Sequence, residues 1–206
     1  MNIFAAGDGN TSLSPEERLD LIPDLTTKEE LNQWERQNIL EAYGWALDKR
    51  NLNRLDPLSE SYVRKLHLRM FDETWKWAGM YRVTEKNIGI PHHQIRDSLA
   101  ALLGDARYWL ENHTFEPDEI GVRFHHRLVW IHPFANGNGR HARLMADVLV
   151  QKQGRPVFTW GRADITTAGD FRRSYIVALR AADKNDMQPL LSFARSDQAF
   201  RKIFWR

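Results

Sequence analysis

The chain has 206 residues, 42% of them hydrophobic and 27% charged, with a net charge of +2 and no cysteine. That length suits one domain with an appendage. The composition excludes a disordered or fibrous chain, and the missing cysteine excludes disulfides, thiolate metal sites and thiol nucleophiles.

Near-neutral charge argues against a nucleic-acid partner, and no run approaches the ~20 apolar residues of a membrane span. The opening MNIFAAGDGNTSLSPEE lacks the basic stretch of a signal peptide, so a cytoplasmic location is expected.

Residues 1–25 read as an irregular lead-in broken by Gly7, Gly9, Pro15 and Pro23. Thr27 and Glu30 have the spacing of a capping box, and Leu31, Trp34, Ile39, Ala42, Trp45 and Ala46 behind them predict a helix. Asp56-Pro57 offers a cap and an N1 proline for the next helix, with Tyr62, Leu66, Met70 and Phe71 facing inward. From Trp75 to Ile90 the helical period is lost, and the stretch reads as a loop or small hairpin. Helix returns at about 94–111, where Ile95, Leu99, Leu102, Leu103, Ala106 and Trp109 form an apolar stripe. A further helix opens at Pro117 and stops at His132, because the residue before a proline is pushed out of the α region. The next begins near Gly139–Arg140 and ends before Gly154 and Pro156. One or two closing helices span 170–194, with a break near 185–189.

The segment from Ile131 to Arg143, IHPFANGNGRHAR, carries the chemistry. A Gly-X-Gly loop running into a helix points several backbone N–H groups at one place, and the helix dipole makes that place attractive to an anion. Arg140 and Arg143, three residues apart, share a helical face and can converge on a polyphosphate. His132, just ahead of the loop, is placed to take a proton from an attacking hydroxyl. A turn followed by a helix cap is the plainer reading of such a loop. The histidine and two arginines beside it favour the catalytic one.

This segment resembles the signature of the Fic/DOC family, HxFx[D/E]GNGRxxR. WAGMYR at 77–82 is similar to the lead into that family's flap, and SYIVAL at 174–179, continuing to Asp186, Pro189 and Leu190, to its closing helix. Order and length are most similar to the mobile mystery protein B subgroup. The resemblance implies an all-α, Fic-type helical bundle with a small β-hairpin flap, divided into an N-terminal extension at 1–55, a Fic domain at 56–196 and a tail at 197–206. It implies an adenylyltransferase that moves AMP from ATP to a Ser, Thr or Tyr hydroxyl of a target protein docked on a flap at 83–90. His132 would be the general base and Phe134 the loop's anchor. Gly137, Asn138 and Gly139 would cradle the phosphates, with Arg140 on the β/γ phosphates and Arg143 on the γ. Tyr175 and Asp183 would contact adenine. The subgroup further implies a mobile-element, toxin-antitoxin-like setting with a small helix-turn-helix protein encoded nearby.

The family's acidic Mg²⁺ ligand is replaced here by Asn136, a neutral oxygen donor that predicts weak metal binding. That departure keeps two alternatives open. One is a Fic-fold phosphotransferase, or a transferase for another nucleotide or phosphocholine. The other is a non-catalytic module binding nucleotide or protein. Many family members are restrained by a glutamate that pairs with the second motif arginine. Glu35 matches part of that inhibitory pattern and is expected to pair with Arg143, with Glu41 a second candidate. The pairs His92-His93 and His125-His126 lack metal-ligand spacing, and His141 is left without a role.

Overall fold

The computed structural model describes residues 11–162 and 170–196. Among them lie nine α-helices: α1 Pro15–Leu19, α2 Lys28–Ala46, α3 Lys49–Arg54, α4 Glu60–Phe71, α5 Ile95–Glu111, α6 Pro117–Ile131, α7 Asn138–Lys152, α8 Asp170–Ala182 and α9 Gln188–Arg195. The expected all-helical character holds.

Of the lead-in, residues 11–25 are more regular than Pro15 and Pro23 suggest, while Gly7 and Gly9 lie outside the described residues. Pro15 opens α1 instead of breaking the chain, because Ser14 and Glu17 form a reciprocal capping box around it. The expected helix after Asp56-Pro57 starts three residues later, at Glu60, capped by Ser59. Asp56 instead closes a turn onto the Leu58 N–H and pairs with Arg107. The cap at Thr27 and the break between α8 and α9 fall where the sequence places them, the break marked by Asn185 at φ 66°.

Two apolar clusters hold the fold together. The larger, which takes in Leu31, Ala42 and Ala46 of α2, joins α4, α5, α6 and α7 through fully buried Leu66, Met70, Phe71, Leu102, Phe124, Leu128 and Leu144. Each such side chain contributes on the order of 1.5–3 kcal/mol. The smaller packs Val122, Ala146 and Val150 of α6 and α7 against Trp160, Tyr175, Leu190 and Phe193. The pair α6–α7 therefore belongs to both clusters, and the loop between these two helices is anchored from both sides.

The β-hairpin flap is not formed: among the described residues the β contacts are isolated bridges, Leu21 with Trp75 and Tyr81 with Phe134. Instead the stretch is gathered around Arg82, which binds two of its carbonyls. Its Nε donates to the His132 carbonyl at 2.7 Å and its Nη1 to Thr84 O at 2.9 Å, while its Nη2 donates to Ile90 O. The 83–90 segment is thus folded around one buried guanidinium and tied to the loop that follows α6.

Candidate active site

The loop from His132 to Gly137 joins α6 to α7. His132 ends α6 in the left-handed region, at φ 56° and ψ 59°. The following proline forbids the α region, and a non-glycine residue in this conformation costs about 1–2 kcal/mol. The surroundings impose it: the His132 N–H reaches Leu128 O, and Arg82 grips the His132 carbonyl. Gly89 of the flap segment lies so close that a Cβ there would meet the His132 Cβ at 2.5 Å, and its own φ is +104°. Backbone strain and a glycine contact together set one histidine side chain.

Its protons can be assigned. Nδ1 lies 3.1 Å from the Val129 carbonyl, which can only accept, so Nδ1 carries the hydrogen. Nε2 is then the lone-pair nitrogen. Burial pushes the imidazole down to about 4, against the pull of the Val129 carbonyl and with help from the Arg82 and Lys86 charges. At neutral pH the ring is uncharged and Nε2 is available as a base. Thr11 Oγ1 lies 2.6 Å from it.

Gly137 turns the loop into α7 with φ 77°, and a Cβ there would strike the Phe71 ring at 2.4 Å. Both space and conformation require glycine. Asn138 does not reach outward: its Oδ1 accepts from Phe134 N at 2.9 Å and its Nδ2 donates to Phe134 O at 2.8 Å. Phe134 is fully buried and stacks on His67 with ring centroids 3.7 Å apart. These two residues make the loop rigid rather than lining a pocket. At Gly139 there is room: a Cβ would still stand 3.9 Å from both Arg143 Nη1 and Tyr175 OH. The first-turn amides of α7, Arg143 and the Tyr175 hydroxyl thus meet around that glycine.

Glu35 reaches this site from α2, but onto the other arginine. Its Oε2 lies 2.5 Å from Arg140 Nη1, not on Arg143 as expected, and its Oε1 accepts from Trp75 Nε1 at 2.9 Å. Glu35 is 7% exposed, so both carboxylate oxygens are committed in a largely dry setting. The Arg140 guanidinium lies over Phe71, 4.9 Å from the ring centroid. Arg143 instead lies over Tyr175, at 5.7 Å. The two arginines diverge because α7 turns one toward α2 and α4 and the other toward α8.

The metal position fits a divalent cation poorly. The Asn136 Oδ1 is turned back onto Gly137 N at 2.6 Å, and the amide brings no charge. Ligand atoms of Glu85, His92 and His93 lie within 4.8 Å of one another beside the 83–90 segment, which adjacent-histidine spacing did not suggest. Tyr175 is buried, with its hydroxyl 3.0 Å from His125 Nε2, and Asp183 holds His126 at 2.8 Å. Sequence reasoning missed four residues. Thr11 presents a hydroxyl to the base. Arg82 sets its backbone. His67 accepts from Gly79 N and donates to the Asn136 carbonyl, clamping the loop from below. Asp147, raised to about 6 by burial, accepts from Tyr43, Phe158 and Trp160. The lone acid in an apolar helix was the only available signal for that last residue.

A helical bundle that presents a histidine, a glycine-bearing loop at a helix N-terminus and two arginines defines a class built to handle phosphate. Residues 57–150 match the family model for the Fic/DOC family. It is 28% identical over 119 residues to protein adenylyltransferase fic-1 of Caenorhabditis elegans, a match covering 56% of this chain and 22% of that protein. It is 29% identical over 119 residues to protein adenylyltransferase Fic of Nematostella vectensis, covering 56% and 26%. The chain thus spans about a quarter of these relatives' length. The fold is similar to that of BepC from Bartonella tribocorum, solved with AMPPNP, at 18% identity, a TM-score of 0.60 and coverage of 88% and 97%. It is also similar to the N-terminal FIC domain of Bep8 from Bartonella sp. 1-1C, at 17% identity, a TM-score of 0.62 and coverage of 90% and 93%.

Proposed function

We propose that this chain is a protein adenylyltransferase that moves AMP from ATP to a protein hydroxyl and is restrained by Glu35. The observation that carries the reading is the histidine. Its Nδ1 is held by Val129, which leaves the lone pair on Nε2, and that nitrogen meets a hydroxyl, Thr11 Oγ1. The resemblance to proteins named adenylyltransferases, and to a fold neighbour solved with AMPPNP, points the same way.

In this reading His132 Nε2 takes the proton of the acceptor hydroxyl as its oxygen bonds the α-phosphorus. The bond from the α-phosphorus to the bridging oxygen breaks, and pyrophosphate leaves toward the α7 amides and arginines. Tyr175 and Asp183 border the adenine side, and the 83–90 segment bears the target protein. Any magnesium would be held by the nucleotide phosphates, and Asn136 could offer it only a neutral oxygen.

Glu35 restrains the site by occupying Arg140. A triphosphate that needs this guanidinium must first displace a buried carboxylate. ATP labelled at the α or the γ phosphate, incubated with the chain and with His132→Ala, tests the reading. Label from α on protein, lost in His132→Ala, supports it. Label from γ makes the protein a phosphotransferase. The inward turn of the Asn136 oxygen favours a second reading, a nucleotide-binding module without turnover, and absence of both labels would support that.

A further inference from the structure

The hydroxyl that faces the base belongs to the chain itself. Thr11 Oγ1 lies 2.6 Å from His132 Nε2, and since Nδ1 carries the ring proton, the threonine is the donor. This is the hydrogen bond that an acceptor hydroxyl must make for its proton to be removed. We propose that Thr11 is itself an adenylylation site, modified by the His132 centre of the same chain. The proposal rests on the adenylyltransferase reading and names an acceptor for it.

The contact is not an isolated approach of a loose end, because the residues after Thr11 are bound along the 84–87 segment. Lys86 Nζ donates to Ser12 O at 3.1 Å and also pairs with Glu17. Ser12 N reaches Asn87 Oδ1 at 3.4 Å, and Thr84 Oγ1 donates to Glu17 Oε1 at 2.9 Å. Leu13 is buried in the larger core cluster, and its carbonyl accepts from Arg18. Trp77 Nε1 donates to Glu17 O, and the chain continues to Leu21 bridging Trp75. These bonds fix the register that brings residue 11 to the base. The Ser14 hydroxyl, three residues on, is committed to Glu16 and to the Glu17 N–H.

The step balances with ATP as the only co-reactant. The Thr11 Oγ–phosphorus bond forms while the bond from the α-phosphorus to the bridging oxygen breaks. The hydroxyl proton passes to His132 Nε2, pyrophosphate leaves, and the imidazolium returns its proton to water. The product no longer has a hydroxyl to donate, so each chain turns over once in this reaction.

The test uses the full chain in the Glu35→Gly background with α-labelled ATP, Mg²⁺, and peptide mapping by mass spectrometry. One adenylyl group per chain is expected, mapped to Thr11, at a rate independent of chain concentration. Label falls by about tenfold or more in Thr11→Val and is retained in Thr11→Ser. A His132→Ala chain mixed with the active chain stays unlabelled at Thr11. A readout without ATP checks the geometry: Thr11→Val removes the donor to Nε2, so the His132 imidazole signals and their titration shift in NMR. Label mapped elsewhere with Thr11 clean overturns the assignment while leaving adenylyl transfer intact. Label on the His132→Ala chain at the same rate overturns transfer within one chain, and unmoved His132 signals overturn the contact. No α-label on any protein, even with Asn136→Asp added, defeats the adenylyltransferase reading and this inference with it.

Discussion

At the scale of single residues, the choice of arginine is the informative detail. Glu35, itself held by Trp75 Nε1, pairs with Arg140, and the guanidinium lies over the Phe71 ring, so it is already engaged before any nucleotide arrives. Removing Glu35 releases it. Adenylyl transfer by Glu35→Gly is expected to exceed wild type by about tenfold, a change of roughly 1.4 kcal/mol in the barrier. The gain should vanish when Arg140→Ala is added; a gain that persists there would place the restraint elsewhere. Asn136 gives a second prediction of opposite character. Asn136→Asp supplies a charged oxygen, so half-maximal activity should need less Mg²⁺ than in wild type. An unchanged Mg²⁺ titration would show that this position does not face the metal.

At the scale of elements, the long helices were legible, and so was the phase of α5 and α6, while the short α1 and α3 and the phase of α2 were not. The stripes of α5 and α6 are apolar, and Ile95, Leu99, Leu102, Ile120, Phe124 and Leu128 are all buried as the 3.6-residue period requires. In α2 the same logic puts Trp34 inside, yet Trp34 is 46% exposed while Glu35 and Asn38 are buried. The inward face of α2 is partly polar because it closes a functional site and caps the Glu73–Thr74 turn, and hydrophobic periodicity cannot see that. The His132–Arg143 loop was legible because its glycines, histidine and arginines lie together in sequence. Thr11, Arg82 and Asp147 were not, since each acts on residues far along the chain. The α6–α7 loop makes a stability prediction. Gly137→Ala adds a Cβ at positive φ against the Phe71 ring, and should cost about 2 kcal/mol or more in denaturant unfolding. An unaltered midpoint would mean that the ring yields freely. Tyr43→Phe, which takes one donor from buried Asp147, should cost about 2 kcal/mol by the same measurement.

At the scale of the whole molecule, burial of histidine sets the response to pH. His67, His125, His132 and His141 are all buried and all held below the ordinary imidazole range by lost hydration, His125 to about 3 and His132 and His141 to about 4. Unfolded, they titrate near 6.5, so the unfolded chain binds more protons over the interval below that value. Their contribution is therefore complete above about pH 6.5 and lost as pH falls toward the folded values. Asp147, raised to about 6 by burial, acts in the opposite sense over part of the same interval, one group against four. Unfolding free energy should drop by several kcal/mol between about pH 7 and about pH 5, and a flat profile would contradict the burial of these rings. Activity should persist to lower pH than a solvent-exposed histidine base would allow, ending where the protein unfolds. The two core clusters meet at α6 and α7, so the candidate site sits on a pair of helices held in both, with Glu35 of α2 and Thr11 reaching it from elsewhere in the chain. In the proposed reaction His132 drives adenylyl transfer at this junction. Incorporation from α-labelled ATP by Glu35→Gly, beside Glu35→Gly/His132→Ala, tests it most directly. Protein-bound label is expected in the first and background in the second. Equal label in both, or label arriving only from the γ phosphate, would contradict it.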